Sequence, residues 1–206
     1  MTATFPTQGS RVSQEFADYE VLSEGDNPVR FGELFEQRPT LLFLLRHFGC
    51  IGCSEHMAEL TPRLPELSDL GIQVVLVGNG ASHFLSGFKS RFALNHHHLT
   101  VVTDPSLQLY QLLQLRHSFW GVMGLRGIRD MLRAASHGHL QTSVQGSNHQ
   151  QGGTLFMDED GIIQFYHRNF SIGDHAPATA WMQAVLKWKV HRSQMEASAR
   201  TSQEAS

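Results

Sequence analysis

Two continuous apolar runs constrain the fold of this chain more than any other feature of its sequence. Residues 40–47 contain the run Thr-Leu-Leu-Phe-Leu-Leu, and residues 72–77 read Ile-Gln-Val-Val-Leu-Val. Both runs have the length of strands, and each is followed by a glycine. Strands of a parallel sheet are apolar on both faces because helices cover both sides of the sheet. We therefore expect two buried strands at the centre of a covered sheet.

Strand and helix signals alternate along the rest of the chain. Strands are predicted, from apolar content and bounding turns, at residues 16–22, 40–47, 72–77, 99–103, 154–157 and 162–167. Helices are predicted from apolar spacing and capping residues at residues 31–36, from residue 54 onward, at residues 82–92, after Asp104-Pro105 and after Asp174. Pro62 and Pro65 should kink the second of these helices, and Asp174 should be the N-cap of the last. This β-α-β order requires a parallel sheet, and the final hairpin adds an antiparallel pair. The predicted fold is α/β and thioredoxin-like, a central mixed sheet with helices on both faces.

The chain shows no linker that divides it into two domains. Residues 1–14 are polar and are expected to form a flexible N-terminal arm, and residues 191–206 are expected to form a flexible C-terminal tail. Residues 15–190 then form one domain. Residues 119–140 carry apolar residues at mixed spacing, and we expect a helical insert there, before the closing hairpin.

Composition excludes several classes of function. The formal net charge is −3 and the pI is near 6.5, so there is no sequence-wide electrostatic basis for binding nucleic acid or an anionic membrane. The longest aliphatic and aromatic run, residues 41–45, is far shorter than the roughly 20 residues of a membrane span. We expect a soluble, cytoplasmic protein with no nucleic-acid partner and no membrane span.

The chain has two cysteines, Cys50 and Cys53, placed where the first buried strand gives way to a helix. The first turn of a helix has unpaired N–H groups and a partial positive charge, which stabilise a thiolate. Arg46 and His47 lie just upstream and add positive charge. Two thiols in a Cys-x-x-Cys pair can form and release a disulfide, so the spacing favours redox chemistry over a structural role.

Metal binding is a weaker interpretation of the same residues. Structural zinc takes four ligands, and Cys50, Cys53 and His56, with His47 nearby, make a Cys/His metal carrier an alternative. Haem attachment requires a histidine directly after the second cysteine, where this chain has Ser54. We predict no metal and no cofactor.

Two blocks of residues, one at the cysteines and one near the end of the chain, are typical of a known family. The first block is Leu44-Leu45-Arg46-His47-Phe48-Gly49-Cys50-Ile51-Gly52-Cys53. The second consists of Gly152-Gly153-Thr154-Leu155-Phe156, Asp160-Gly161, His167-Arg168 and Gly173-Asp174-His175-Ala176-Pro177. Together they resemble the peroxiredoxin-like branch of the AhpC/TSA superfamily, which includes the prostamide/prostaglandin F synthase type.

The resemblance implies a thioredoxin-like fold and thiol-dependent reduction of a peroxide or disulfide substrate, with electrons from a thioredoxin- or glutathione-type donor. Cys50 matches the first motif cysteine of the family and Cys53 the second. Thioredoxin chemistry favours Cys50 as the attacking thiol, whereas alignment with typical peroxiredoxins favours Cys53. The choice between peroxidase and disulfide reductase stays open, as does a non-catalytic redox sensor or partner-binding module.

Two further residues are candidates for supporting roles. Thr154 follows two glycines at the entry to a strand, where this fold brings backbone close to the sulfurs, although a simple strand start explains it equally well. Arg168 would hold an anionic group if it reached the site, or it is a solvent-facing residue of the hairpin.

Overall fold

The computed structural model describes residues 6–49, 51–116, 147, 149–171 and 174–204. The described strands form one seven-stranded sheet in the order β2-β1-β5-β4-β3-β6-β7. Their bounds are β1 (Glu20–Leu22), β2 (Pro28–Arg30), β3 (Thr40–Leu44), β4 (Gln73–Gly78), β5 (Leu99–Thr103), β6 (Gly153–Met157) and β7 (Ile163–Arg168). Cys50 and the predicted insert at residues 119–140 lie outside the described residues.

The sheet is mixed, as the sequence predicts. Strand β3 pairs in parallel with β4, and β4 pairs in parallel with β5. On its other side β3 pairs antiparallel with β6, which in turn forms a hairpin with β7. The two apolar runs therefore become the adjacent central strands β3 and β4, each hydrogen-bonded on both sides.

Six α-helices are described around this sheet. Their bounds are α1 (Gln14–Asp18), α2 (Ile51–Leu60), α3 (Leu64–Asp69), α4 (Phe84–Arg91), α5 (Gln108–Leu112) and α6 (Ala178–Glu204). The predicted kink at Pro62 and Pro65 is confirmed, because a 3-10 turn at Thr61–Arg63 separates α2 from α3. Proline lacks the N–H that a continuous helix requires, so the α-helical hydrogen bonding is interrupted there.

Two hydrophobic clusters cover the two faces of the sheet. Alternate residues of β3 point to opposite faces, so Leu41 and Phe43 join one cluster while Leu42 and Leu44 join the other. The first cluster packs against α2, α3, α4 and α6, and the second against α1 and α5. All five residues of β3 are buried. The predicted helices on both faces are therefore present.

The first predicted strand, residues 16–22, divides into a helix and a shorter strand. Ser13 caps α1 by accepting a hydrogen bond from the backbone N–H of Phe16 at 3.1 Å. Phe16 then packs edge-on against Phe31, with ring centroids 4.9 Å apart. The capping residue and one aromatic contact outweigh the strand preference of a short apolar segment.

The described parts of the two chain ends differ in their contacts. Gly9 N–H donates to Ile163 O at 2.7 Å, and Val12 N–H donates to Gly161 O at 2.9 Å, so the described part of the arm lies along the last hairpin. Helix α6 continues through Glu204, and its residues beyond Val190 are exposed wherever burial is described. Backbone hydrogen bonds hold the described part of the arm, which is why side-chain patterns do not predict its position.

Among the described helices, none is both long and apolar enough to cross a membrane.

Close packing at the start of β6 makes a testable prediction about Gly152. A Cβ atom added there would lie 2.2 Å from the backbone oxygen of Leu44. We expect Gly152→Ala to lower the free energy of unfolding by about 1–3 kcal/mol, because backbone must move to admit the methyl group. Urea denaturation measures the change.

The matched control is Gly87→Ala, in the middle of α4. A Cβ atom at Gly87 meets no described atom within 4 Å. Because alanine favours helix over glycine, we expect this variant to raise the free energy of unfolding by about 0.5–1 kcal/mol. Equal effects of the two variants would contradict the packing argument.

Candidate active site

The candidate site lies where β3 ends and α2 begins. The backbone N–H of Leu45 donates to Val77 O at 2.8 Å, which extends the pairing of β3 with β4 by one residue. Cys53 is the third residue of α2 and is only 6% exposed. Cys50 directly precedes α2 in the sequence. The position of Cys53 agrees with the predicted change from strand to helix.

Tyr110 holds the ends of the two central strands together. Its hydroxyl lies 2.7 Å from Leu45 O and 3.0 Å from Val77 O. It donates to these carbonyl oxygens from the face of the sheet opposite Cys53. Burial, and then the charges of Asp104 and Cys53, raise the pKa of Tyr110 well above its ordinary value. The phenol therefore stays protonated and keeps its role as donor.

A small pocket opens beside Cys53. It is lined by Leu44, Leu45, Arg46, Cys53, His56, Asn169 and His175. Arg46 is 3% exposed, and its Nε donates to Gln150 O at 3.3 Å. A buried guanidinium on the wall of the pocket stabilises negative charge that develops on a sulfur there, since opposite charges attract strongly where water is excluded.

Two histidine rings stack at the base of the pocket. His56 and His175 have ring centroids 4.7 Å apart at an angle of 26°, and Phe43 packs edge-on against His56. Complete burial, and then the charges of His175 and His167, lower the pKa of His56 well below its ordinary value of 6.5. His56 is therefore a neutral ring at neutral pH.

Glu59 connects α2 to the start of α6. One carboxylate oxygen, Oε1, lies 3.2 Å from Nε2 of His175. The other, Oε2, accepts a hydrogen bond from the backbone N–H of Ala178 at 3.1 Å. The first turn of α6 is thus capped by a residue of another helix.

Asp174 does not cap α6, contrary to the prediction from the sequence. Its Oδ2 accepts a hydrogen bond from the backbone N–H of Phe170 at 2.7 Å, and its Oδ1 lies 3.3 Å from Nε2 of His167. Burial raises the pKa of Asp174, but the hydrogen bonds from His167 and Phe170 and the charges of the two histidines outweigh it and keep the pKa below its ordinary value. The capping role passes to Glu59 because α6 begins four residues after Asp174.

The remaining predicted residues are distributed over the two faces of the sheet. Thr154 is fully buried in β6 opposite Phe43, and its hydroxyl has no hydrogen-bond partner among the described residues. His47 is 2% exposed in the turn after β3. Arg168 alternates with His167 along β7 and donates to Gln114 O at 3.5 Å, on the other face from Thr154. Arg46 and Cys53 therefore line one pocket, and Arg168 is not among the residues that line it.

Sequence reasoning missed the roles of Glu59 and His175 and considered His56 only as a zinc ligand. The available signal was helical spacing, because Cys53, His56 and Glu59 recur every three residues along α2. No group of three or more His, Cys, Asp or Glu side chains within the described ranges is arranged to hold a metal ion.

Comparison with known proteins gives consistent matches. Residues 59–171 match the AhpC/TSA antioxidant enzyme family, a range that begins after Cys53. Peroxiredoxin-like 2C of Bos taurus is 27% identical over 194 residues, which cover 87% of this chain and 82% of that protein. Prostamide/prostaglandin F synthase of Salmo salar is 28% identical over 155 residues, which cover 72% of this chain and 75% of that protein.

Solved structures agree on the fold. A cysteine-to-serine mutant of Xylella fastidiosa PrxQ superposes with a TM-score of 0.64 at 13% identity, covering 92% of this chain and 99% of that one. Peroxiredoxin 5 of Alvinella pompejana gives a TM-score of 0.62 at 11% identity, covering 88% and 98%. The predicted thioredoxin-like fold is confirmed.

The buried His56 predicts how stability depends on pH. Its pKa is lower in the folded chain than in the unfolded one, so the stability is complete above about pH 6.5 and falls as the unfolded chain takes up a proton below that value. One such group changes the free energy of unfolding by about 1.4 kcal/mol per pH unit. We expect His56→Phe to reduce the loss of stability between neutral pH and pH 5, measured by urea denaturation across the range.

His191→Gln, on an exposed position of α6, is the control. It should follow the pH dependence of the unaltered chain. If His56→Phe follows the same curve as this control, His56 does not carry the pH dependence.

Proposed function

Since the chain belongs to the AhpC/TSA antioxidant enzyme family, in its peroxiredoxin-like branch, we propose that it is a thiol-dependent peroxidase in which Cys50 and Cys53 form a redox pair. The observation that carries the proposal is the position of Cys53, which lies in the first turn of α2 on the wall of a pocket shared with Arg46. A helix N-terminus and a buried cation both stabilise a thiolate. The family and the fold together make the chain an oxidoreductase.

The proposed cycle passes two electrons from sulfur to a peroxide. The Cys50 thiolate attacks one peroxide oxygen, the O–O bond breaks, and Cys50 becomes a sulfenic acid while the other oxygen takes a proton and leaves as an alcohol or water. Cys53 attacks the sulfenic sulfur, so that a disulfide forms and water leaves. A thioredoxin- or glutathione-type thiol donor then reduces the disulfide and is itself oxidised.

Burial supports this order of attack. Cys53 is 6% exposed, and a resolving thiol needs to react only with the other cysteine of the pair, Cys50. An attacking thiol must meet a peroxide that arrives from solvent. The reverse order, in which Cys53 attacks first, is tested directly by the variants below.

Arg46 is the main supporting residue of the proposal. Arg46 lines the pocket with Cys53 and precedes Cys50 by four residues, and its proposed role is to stabilise the attacking thiolate. His47, buried in the turn between Arg46 and α2, and Thr154, whose buried hydroxyl has no partner within the described part of the chain, are proposed to shape the same region. Arg168 is left out of the proposed site because it does not line this pocket and donates instead to Gln114 O.

The alternative hypothesis for the cysteine pair is a redox sensor or partner-binding module. It would form the same disulfide but would not turn over peroxide. A disulfide reductase differs in the substrate that oxidises the pair. A cytoplasmic location stays a prediction from the sequence.

Single cysteine variants test the proposed function. We expect the unaltered chain to consume hydrogen peroxide with a thiol donor, and Cys50→Ser to lose that activity, because it removes the attacking sulfur. Cys53→Ser should accumulate a sulfenic acid at Cys50, which a dimedone adduct reveals by mass spectrometry. Intact mass should show the loss of two hydrogens only when both cysteines are present.

Each alternative gives a different result in this assay. A sulfenic acid at Cys53 in Cys50→Ser would reverse the order of attack. A disulfide that forms without peroxide turnover would identify a sensor, and turnover of a disulfide but not of a peroxide would identify a reductase. Zinc retained after purification would identify a metal carrier.

Paired variants of Arg46 test the role of its charge. We expect Arg46→Met to slow the attack on peroxide by about 100-fold, since it removes a buried cation beside the developing negative charge. Arg46→Lys keeps the charge and should retain more activity than Arg46→Met. Thermal unfolding of both variants separates lost folding from lost chemistry, and equal rates for the two would contradict a role for the charge.

A further inference from the structure

The pair formed by Glu59 and His175 has the geometry of an oriented base. Nε2 of His175 lies 3.2 Å from a Glu59 carboxylate oxygen, and an ionised carboxylate only accepts hydrogen bonds. The proton of the neutral imidazole therefore sits on Nε2. The other nitrogen, Nδ1, then carries a lone pair.

This nitrogen belongs to a residue that lines the pocket beside Cys53. Nδ1 of His175 is buried and has no hydrogen-bond partner among the described residues. His175 and Cys53 line the same pocket. A buried acceptor without a partner is costly, so its persistence indicates a group that is met during function.

We propose that His175, oriented by Glu59, is the proton acceptor for Cys53 when the disulfide closes, and this rests on the proposed function. The proton of the Cys53 thiol passes to Nδ1 of His175 as the sulfur attacks the sulfenic sulfur of Cys50. The S–OH bond breaks, and the same proton returns to the leaving hydroxide, which departs as water. Glu59 stabilises the imidazolium in between, and no external oxidant or reductant enters this step.

Charged and titratable groups surround His175 on several elements. Glu59 and His56 lie on α2, Asp174 directly precedes it in the chain, and Arg46 lines the same pocket. The charge of His167, on β7, contributes to the lowered pKa of His56, and Nε2 of His167 lies 3.3 Å from Asp174 Oδ1. Among the described groups, Glu59 is the carboxylate in hydrogen-bond contact with the His175 ring.

His56 is not an equivalent base. It is completely buried, and its pKa is lowered well below the ordinary value by burial and by the charges of His175 and His167. No carboxylate contacts it among its described partners, whereas His175 has Glu59. The stacked neutral ring supports His175 by packing and leaves the proton transfer to it.

The decisive variant is Glu59→Gln, which is nearly isosteric. The amide oxygen can still accept from Ala178 N–H, so the cap of α6 is kept. The amide nitrogen now donates to Nε2 of His175 and moves the imidazole proton to Nδ1, which removes the acceptor from the pocket. The carboxylate that stabilises the imidazolium is also lost.

Two measurements read out the effect. In chains oxidised by one equivalent of hydrogen peroxide, quenched-flow mass analysis gives the rate of disulfide closure, which we expect to fall about 100-fold near neutral pH in Glu59→Gln and to recover at high pH, where Cys53 ionises without a base. In Cys50→Ser, the ultraviolet absorbance of the thiolate gives the pKa of Cys53, which should rise when Glu59→Gln is added. The second measurement needs no peroxide, so it tests the base even if the proposed function fails.

Glu66→Gln is the matched control, since it makes the same carboxylate-to-amide change at an exposed residue of α3 that does not line the pocket. It should leave the rate and pH profile of closure within about twofold of the unaltered chain. His175→Gln replaces the imidazole itself and provides a second route if Glu59→Gln fails to fold. An unchanged closure profile in Glu59→Gln, or in His175→Gln where the first variant does not fold, overturns the inference.

Discussion

The central strand β3 is the constraint on which the rest of the structure depends. It is hydrogen-bonded on both sides and buried on both faces, so every residue from Thr40 to Leu44 is fixed by neighbours in all directions. A strand held in this way ends at a defined point in space. Arg46 and the first turn of α2 follow directly from that point, so the rigidity of β3 sets the position of the Cys53 thiol.

The sequence predicts those parts of the fold that depend on local periodicity. The continuous apolar runs identify β3 and β4, and the proline pair identifies the break after α2, because each signal is contained in a few adjacent residues. Helix α1 and the backbone pairing of residues 9–12 are not predicted from such patterns. They depend on a cap at Ser13 and on hydrogen bonds to the distant hairpin, which leave no periodic trace.

The residues of the candidate site also fall into two groups, those that the sequence predicts and those that it does not. Cys53 and Arg46 are adjacent to a recognisable motif, and the sequence places them at the end of β3. Glu59 and His175 meet only because α6 returns to pack against α2, and that contact joins residues from opposite parts of the chain. The misassigned cap shows the same effect, since the sequence offers Asp174 as the nearest acidic residue while the folded chain supplies Glu59.

The antiparallel pairing of β3 with β6 has a consequence for how the protein is made. A strand from the first quarter of the chain cannot complete its hydrogen bonds until a segment from the last quarter has left the ribosome. Contacts between distant segments form late because the intervening loop must first close. Asn169 and His175 lie on that late segment, so the nascent chain carries Cys53 before the pocket around it exists. During synthesis Cys53 therefore lacks the part of its surroundings that Asn169 and His175 supply.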